Sequence, residues 1–119
     1  MHRFLCTLAA LAVFAALALA ESPVAGTWSC VSKSTAENSP ELETTLTIVE
    51  RDGVLSGKLK GPDFEMPIYE PKVDGAKFTF IVKLNDQPYV IDTKLSGSTF
   101  EGKFSGPDAS GVSKGKKQG

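Results

Sequence analysis

Few side chains in this sequence are equipped for reaction chemistry. The one histidine, His2, stands at the head of an apolar leader, and Cys6 lies inside the same leader. Beyond residue 20 there is no imidazole and a single thiol, Cys30. A Ser-His-Asp or Cys-His nucleophile needs an imidazole to take its proton. A zinc centre of the His/Cys kind needs several such ligands. Neither is available to residues 21–119. Carboxylates are the remaining acid–base resource. Asp63 and Asp108 follow Gly-Pro in two matching segments, and Asp92 sits in a stretch of alternating apolar residues. Glycoside hydrolysis needs two carboxylates at a set separation, one held protonated, and nothing in so short a chain argues for that cleft. Aspartates after Gly-Pro read as turn caps. The segment "GPDFE" lacks the ligand-rich loop that calcium takes, and no Gly-rich phosphate loop of either standard form occurs. The expectation is a protein without catalytic residues, metal or cofactor.

Aromatic side chains remain. Trp28, Phe78, Phe80, Tyr89, Phe100 and Phe104 fall at alternate positions that put them on one face of their strands. They are the candidate ligand-contacting residues. In so small a fold the competing reading is that they fill the core.

The elements that would position them follow a leader. In "MHRFLCTLAALAVFAALALA" one basic residue, Arg3, precedes an uncharged apolar run that ends in small residues at Ala18 and Ala20. These are the parts of a secretory signal peptide cleaved between Ala20 and Glu21. The alternative is an uncleaved anchor, since the run approaches the length that spans a bilayer. A lipoprotein would need cysteine where Glu21 stands. Cleavage leaves 99 residues, one domain, with 12 basic against 14 acidic side chains. A net charge near −2 steers the protein toward neither nucleic acid nor an anionic membrane. The product is expected to be extracytoplasmic (secreted or periplasmic), monomeric and without stable membrane insertion. With one cysteine it has no internal disulfide, so it must hold itself by closing its core. Cys30 shares a face with Trp28 and reads as a buried, inert thiol, with intermolecular pairing as the alternative.

After Pro23 the pattern is alternating and turn-punctuated. "AGTWSCVSK", "ETTLTIVER", "VLSGKLKG", "FEMPIYEPKV", "KFTFIVKL", "PYVIDTKL" and "TFEGKFSG" read as seven short strands. Asp52-Gly53, Asp74-Gly75 and Gly97-Ser98 supply turns. Pro67 and Pro71 cannot donate to a ladder, so the fourth strand is irregular or lies at an edge. No helical period follows the leader. One apolar face per strand predicts an all-β antiparallel up-and-down meander of seven to eight strands closing into a small barrel.

Two segments repeat: "LSGKLKGPD" at 55–63 and "FEGKFSGPD" at 100–108. Gly57 and Gly102 take inward positions between bulky residues. Glycine inside a strand marks a sharp bend, which is how a sheet curls into a barrel. The alternative is that it clears room for a ligand. The end of the chain, residues 107–119, is a weak last strand or a tail. "GVSKGKK" is expected to form a short, frayed strand from about Gly111 to Lys116 against the Trp28 strand, with the last three residues loose.

Gly26 and Trp28 in "VAGTWSC", at the head of such a meander, resemble the Gly-x-Trp start of the lipocalin and calycin barrels. The chain is also similar to small exported bacterial β-barrel domains with "GTW" starts and Asp-Gly hairpins. The resemblance covers about Val24–Gly106. It implies that Trp28 closes one end of the barrel beneath a basic residue from a late strand, Lys114 or Lys116. It also implies a binding role for a small apolar molecule. Avidin-type barrels begin similarly, but their pocket uses several tryptophans, and Trp28 is the only one in this chain. A second reading is a protein-binding barrel. Small inhibitors of secreted metalloproteases share an "AG-x-W" start and insert an N-terminal segment into the protease, here Glu21–Val24. They carry a disulfide that Cys30 cannot form alone. A structural envelope protein is the third reading.

Overall fold

The alternation in "ELETTLTIVER" produces a strand whose Thr44, Leu46 and Ile48 are buried while Glu43, Thr47 and Val49 face solvent. Every other strand of the computed structural model follows the same logic. It describes residues 22–36 and 39–118. The expected leader and its cleavage point lie outside the described residues.

Nine strands run in chain order: β1 (Gly26–Ser34), β2 (Glu41–Arg51), β3 (Val54–Lys60), β4 (Glu65–Pro67), β5 (Tyr69–Asp74), β6 (Lys77–Leu84), β7 (Gln87–Ser96), β8 (Thr99–Ser105) and β9 (Ser110–Lys117). All pairings are antiparallel. The sheet order is β4-β3-β2-β1-β9-β8-β7-β6-β5. This is the expected all-β meander, with one strand more than the seven to eight expected.

The extra strand comes from splitting the proline-containing segment. β4 pairs with β3 and β5 with β6, so consecutive halves of one kinked strand hold the two ends of the sheet. Ile68, between them, donates its amide to the Gly57 carbonyl at 3.0 Å and buries its side chain. Pro71 and a register break between Tyr69 and Lys72 interrupt the β5–β6 ladder, and across the seam no ladder pairs β3 or β4 with β5 or β6 among the described residues. The barrel is therefore nearly closed.

The chain end forms the expected last strand against β1, but it is longer and better paired than the short, frayed strand expected at about Gly111–Lys116. β9 pairs along its length with both β1 and β8. Gln118 continues the order: its amide bonds the Thr27 carbonyl at 2.8 Å and its side chain the Ser29 hydroxyl at 2.7 Å. Val112, its lone apolar residue, faces outward, 42% exposed, while Gly111, Ser113 and Gly115 face in. The pairing supplies the reason. Phe100 lies opposite Gly115, and Phe104 opposite Gly111. A Cβ on Gly115 would overlap the Phe100 ring, and one on Gly111 the Phe104 ring and the Lys33 carbonyl. The strand gives its inward volume to its neighbour's rings, which cover the glycines in return.

Hairpin geometry sets the two ends of the barrel. Asp52 and Gly53 take φ of 53° and 79°, and Asn85 and Asp86 take 53° and 63°, the doubly positive turns that match strand twist. The turns at 52–53, 75–76 and 97–98 share one end with Ser22 and Gln118, the first and last described residues. The ends of β1, β3, β6 and β8 and the starts of β2, β4, β7 and β9 share the other.

Gly57 and Gly102 sit where strands crowd. A Cβ on Gly57 would lie 2.5 Å from the Thr47 carbonyl oxygen, and one on Gly102 would overlap the Asp92 carbonyl and the Thr93 backbone. Neighbouring backbone, not lumen, occupies the space a side chain would need.

Candidate functional site

The six aromatic candidates all point inward, and they divide between two halves of the interior. Trp28 and Phe78 are fully buried and pack the end nearest Ser22 and Gln118. Trp28 lies 5.0 Å from Phe100 and Phe78 lies 5.8 Å from Phe100, centroid to centroid. Val24, Leu46 and Ile48 complete this plug. Trp28 Nε1 donates to the Val24 carbonyl at 2.9 Å.

A lysine covers the plug, but neither of the two expected. Lys114 and Lys116 face outward, Lys114 3.8 Å from Glu101. Lys117 instead lies with Nζ 5.6 Å from the Trp28 ring centroid and donates to the Pro23 carbonyl at 3.3 Å. The alternation of β9 decides this: with Gly111, Ser113 and Gly115 inward, Lys117 is the basic residue on the inner face. In the segment that the inhibitor reading singles out, Val24 is buried and the Ala25 amide bonds the Ser22 carbonyl at 3.1 Å, so Val24 packs against the barrel end.

The other half of the interior is a cavity of about 270 Å³, open between the loops opposite the plug. Phe80, Tyr89, Phe100 and Phe104 line one wall with Val82 and Ile91. Tyr89 and Phe104 stand 6.5 Å apart, centroid to centroid. The facing wall comes from β1, β2 and β9 and carries Cys30, Ser32, Thr44 and Ser113. These were not among the candidates. Their inward phase was legible, but small polar residues give no hydrophobic signal. The Ser32 and Ser113 hydroxyls bond to each other at 2.9 Å. Leu42, Leu84 and Ala109 surround the mouth. A second depression lies at the Trp28 end, between Ser22 and Pro23, the turn at Gly53 and β5, and reaches the inward-facing Glu50, Leu55 and Val73. A third lies on the outer surface, bordered by the solvent-facing Lys77, Asp92 and Lys103.

Cys30 is a free, buried thiol. Burial pushes it up from an ordinary 9.0 to about 11, against smaller opposing hydrogen bonds from Thr44 and Leu46. It is protonated at neutral pH and a poor nucleophile. The Tyr89 hydroxyl donates to the Asp108 carboxylate, which with some desolvation raises the phenol above its usual range. Asp108 thus anchors a wall residue from the loop at 106–109, while Asp92 faces out beside Lys77 at 3.8 Å. Among the described residues no three His, Cys, Asp or Glu side chains cluster as metal ligands do.

No family model and no characterised relative matches the sequence. A solved structure does: a single-substitution mutant of the fluorescent protein UnaG, with a TM-score of 0.52 at 14% identity, over 82% of this chain and 97% of that one. At that identity the likeness is one of fold. With the plugged end, the Trp28–Lys117 cover and the nearly closed meander, it makes this chain an antiparallel up-and-down β-barrel of the same general fold.

Proposed function

We propose that the protein is an exported, non-enzymatic binding barrel that takes a small apolar molecule into its lumen through the open end. The cavity carries this reading: about 270 Å³ of space lined by four aromatic rings, aliphatic side chains and a few small polar ones, with its mouth among the loops opposite Trp28. Small-molecule sites are concave, mostly apolar and about 300–1,000 Å³ in volume, so the ligand is compact. Packing is tight in the plugged half, where Trp28 and Phe78 reach zero exposure. The cavity lies beside it within the same core. The leader at 1–20 supports export. Mass spectrometry of the exported chain should find Glu21 first, and retention of Met1 or His2 contradicts cleavage.

The neutral dye N-phenylnaphthylamine tests binding, because its emission rises in apolar surroundings. Titration should give a saturable, one-to-one rise. Ser113→Phe and Val82→Phe, which fill the lumen from opposite walls, should each abolish it. No saturable rise, or a rise unchanged in both variants, overturns the proposal.

A further inference from the structure

Resting on the binding reading above, we infer that the lumen selects uncharged ligands that carry a hydrogen-bond acceptor and excludes carboxylates. The cavity wall contains no lysine, arginine or histidine among the described residues. A carboxylate drawn into it would lose water and gain no cation, which is the costly case of charge burial. The nearest turn tips add to the exclusion. Asp63, Asp86 and Asp108 all stand on loops at the open end, with Glu41 at the start of β2. The lysines closest to that end, Lys33, Lys60 and Lys83, are on the outer faces of their strands, Lys83 against the Tyr69 ring at 4.5 Å. Cys30, in the same wall, behaves as such a site dictates, burial holding its thiol further into the neutral form.

The acceptor requirement comes from Ser32 and Ser113. Each hydroxyl carries one hydrogen, and their mutual bond uses one of the two. The second hydrogen has no protein acceptor among the described residues, on a wall that faces the lumen. A carbonyl, ether or hydroxyl oxygen on the ligand completes the pair. The aromatic wall opposite suits a flat ring face. The ligand class is therefore a compact, neutral ring compound with one acceptor oxygen.

Displacement of bound N-phenylnaphthylamine at pH 7 tests this with three competitors: naphthalene, a naphthalene carboxamide and the matching carboxylate. The amide and the acid have nearly the same shape, so charge is isolated. The amide should displace the dye at least about tenfold more effectively than the carboxylate. Its advantage over naphthalene should shrink several-fold in the Ser32→Ala/Ser113→Ala double variant. A carboxylate that competes as well as the amide overturns the inference. An amide advantage unchanged in the double variant overturns the assignment to the hydroxyl pair. If the dye binds and no competitor displaces it, the inference fails while the binding reading stands. If the dye does not bind, the binding reading itself fails and the inference falls with it.

Discussion

Single side chains here act mostly through the room they leave. Gly102→Val and Gly57→Val should both destabilise the barrel, by about 1–3 kcal/mol for Gly57, as overpacking does. Gly102 should cost more, because its Cβ overlaps the backbone of Asp92 and Thr93, which cannot swing aside. Urea titration of the two variants checks the order, and parent-like stability in either contradicts the corner role. Cys30 gives a pH dependence of defined sign. Its folded pKa, about 11, lies above the ordinary 9.0. The folded state therefore keeps its proton where the unfolded state loses it. The resulting stability is present in full below pH 9 and is lost as pH rises from 9 to 11, on the order of 2 kcal/mol. Comparing parent with Cys30→Ala by thermal melts across that window should show the parent falling faster. Inward phase at the residue scale was plain in the sequence: Trp28, Phe78, Phe80, Tyr89, Phe100 and Phe104 all point in. Which of them plug and which line a cavity was not, because alternation fixes a face and says nothing of depth along the barrel.

Strand-scale logic explains why β9 was hard to recognise. Hydrophobic alternation finds strands that bring apolar volume to the core. β9 brings none, since Gly111, Ser113 and Gly115 accommodate Phe100 and Phe104 from β8. The legible signal was complementarity: Gly-x-Ser-x-Gly matches Phe-x-Gly-x-Phe position for position. The same blind spot moved the lysine over Trp28 from Lys114 or Lys116 to Lys117. Closure by β9 has a direct consequence. Removing Ala109–Gly119 unpairs β1 and β8 at once and exposes two edges, so the truncated protein should form dimers or aggregates. Size-exclusion chromatography checks this, and a truncated monomer with an unchanged melting temperature contradicts it. In the intact protein the amides of residues 112–116 should resist hydrogen exchange, as paired interior strands do.

For the whole molecule, the sequence made the barrel legible because one apolar face per strand leaves a meander few ways to bury itself. The cavity was not legible, because it is the difference between the volume the strands enclose and the volume their side chains fill. That difference depends on register and bend at Gly57, Gly102 and the β4–β5 seam. The resulting asymmetry, a plugged end under Lys117 and an open end between acidic turn tips, is the central claim. Backbone and methyl NMR shifts during titration with N-phenylnaphthylamine test it most directly. Shifts should concentrate at Leu42, Val82, Ile91, Phe104 and Ser113 and leave Val24, Phe78 and the outer face at Lys77 and Lys103 unmoved. An absence of shifts, or shifts centred on the outer face, would contradict the account.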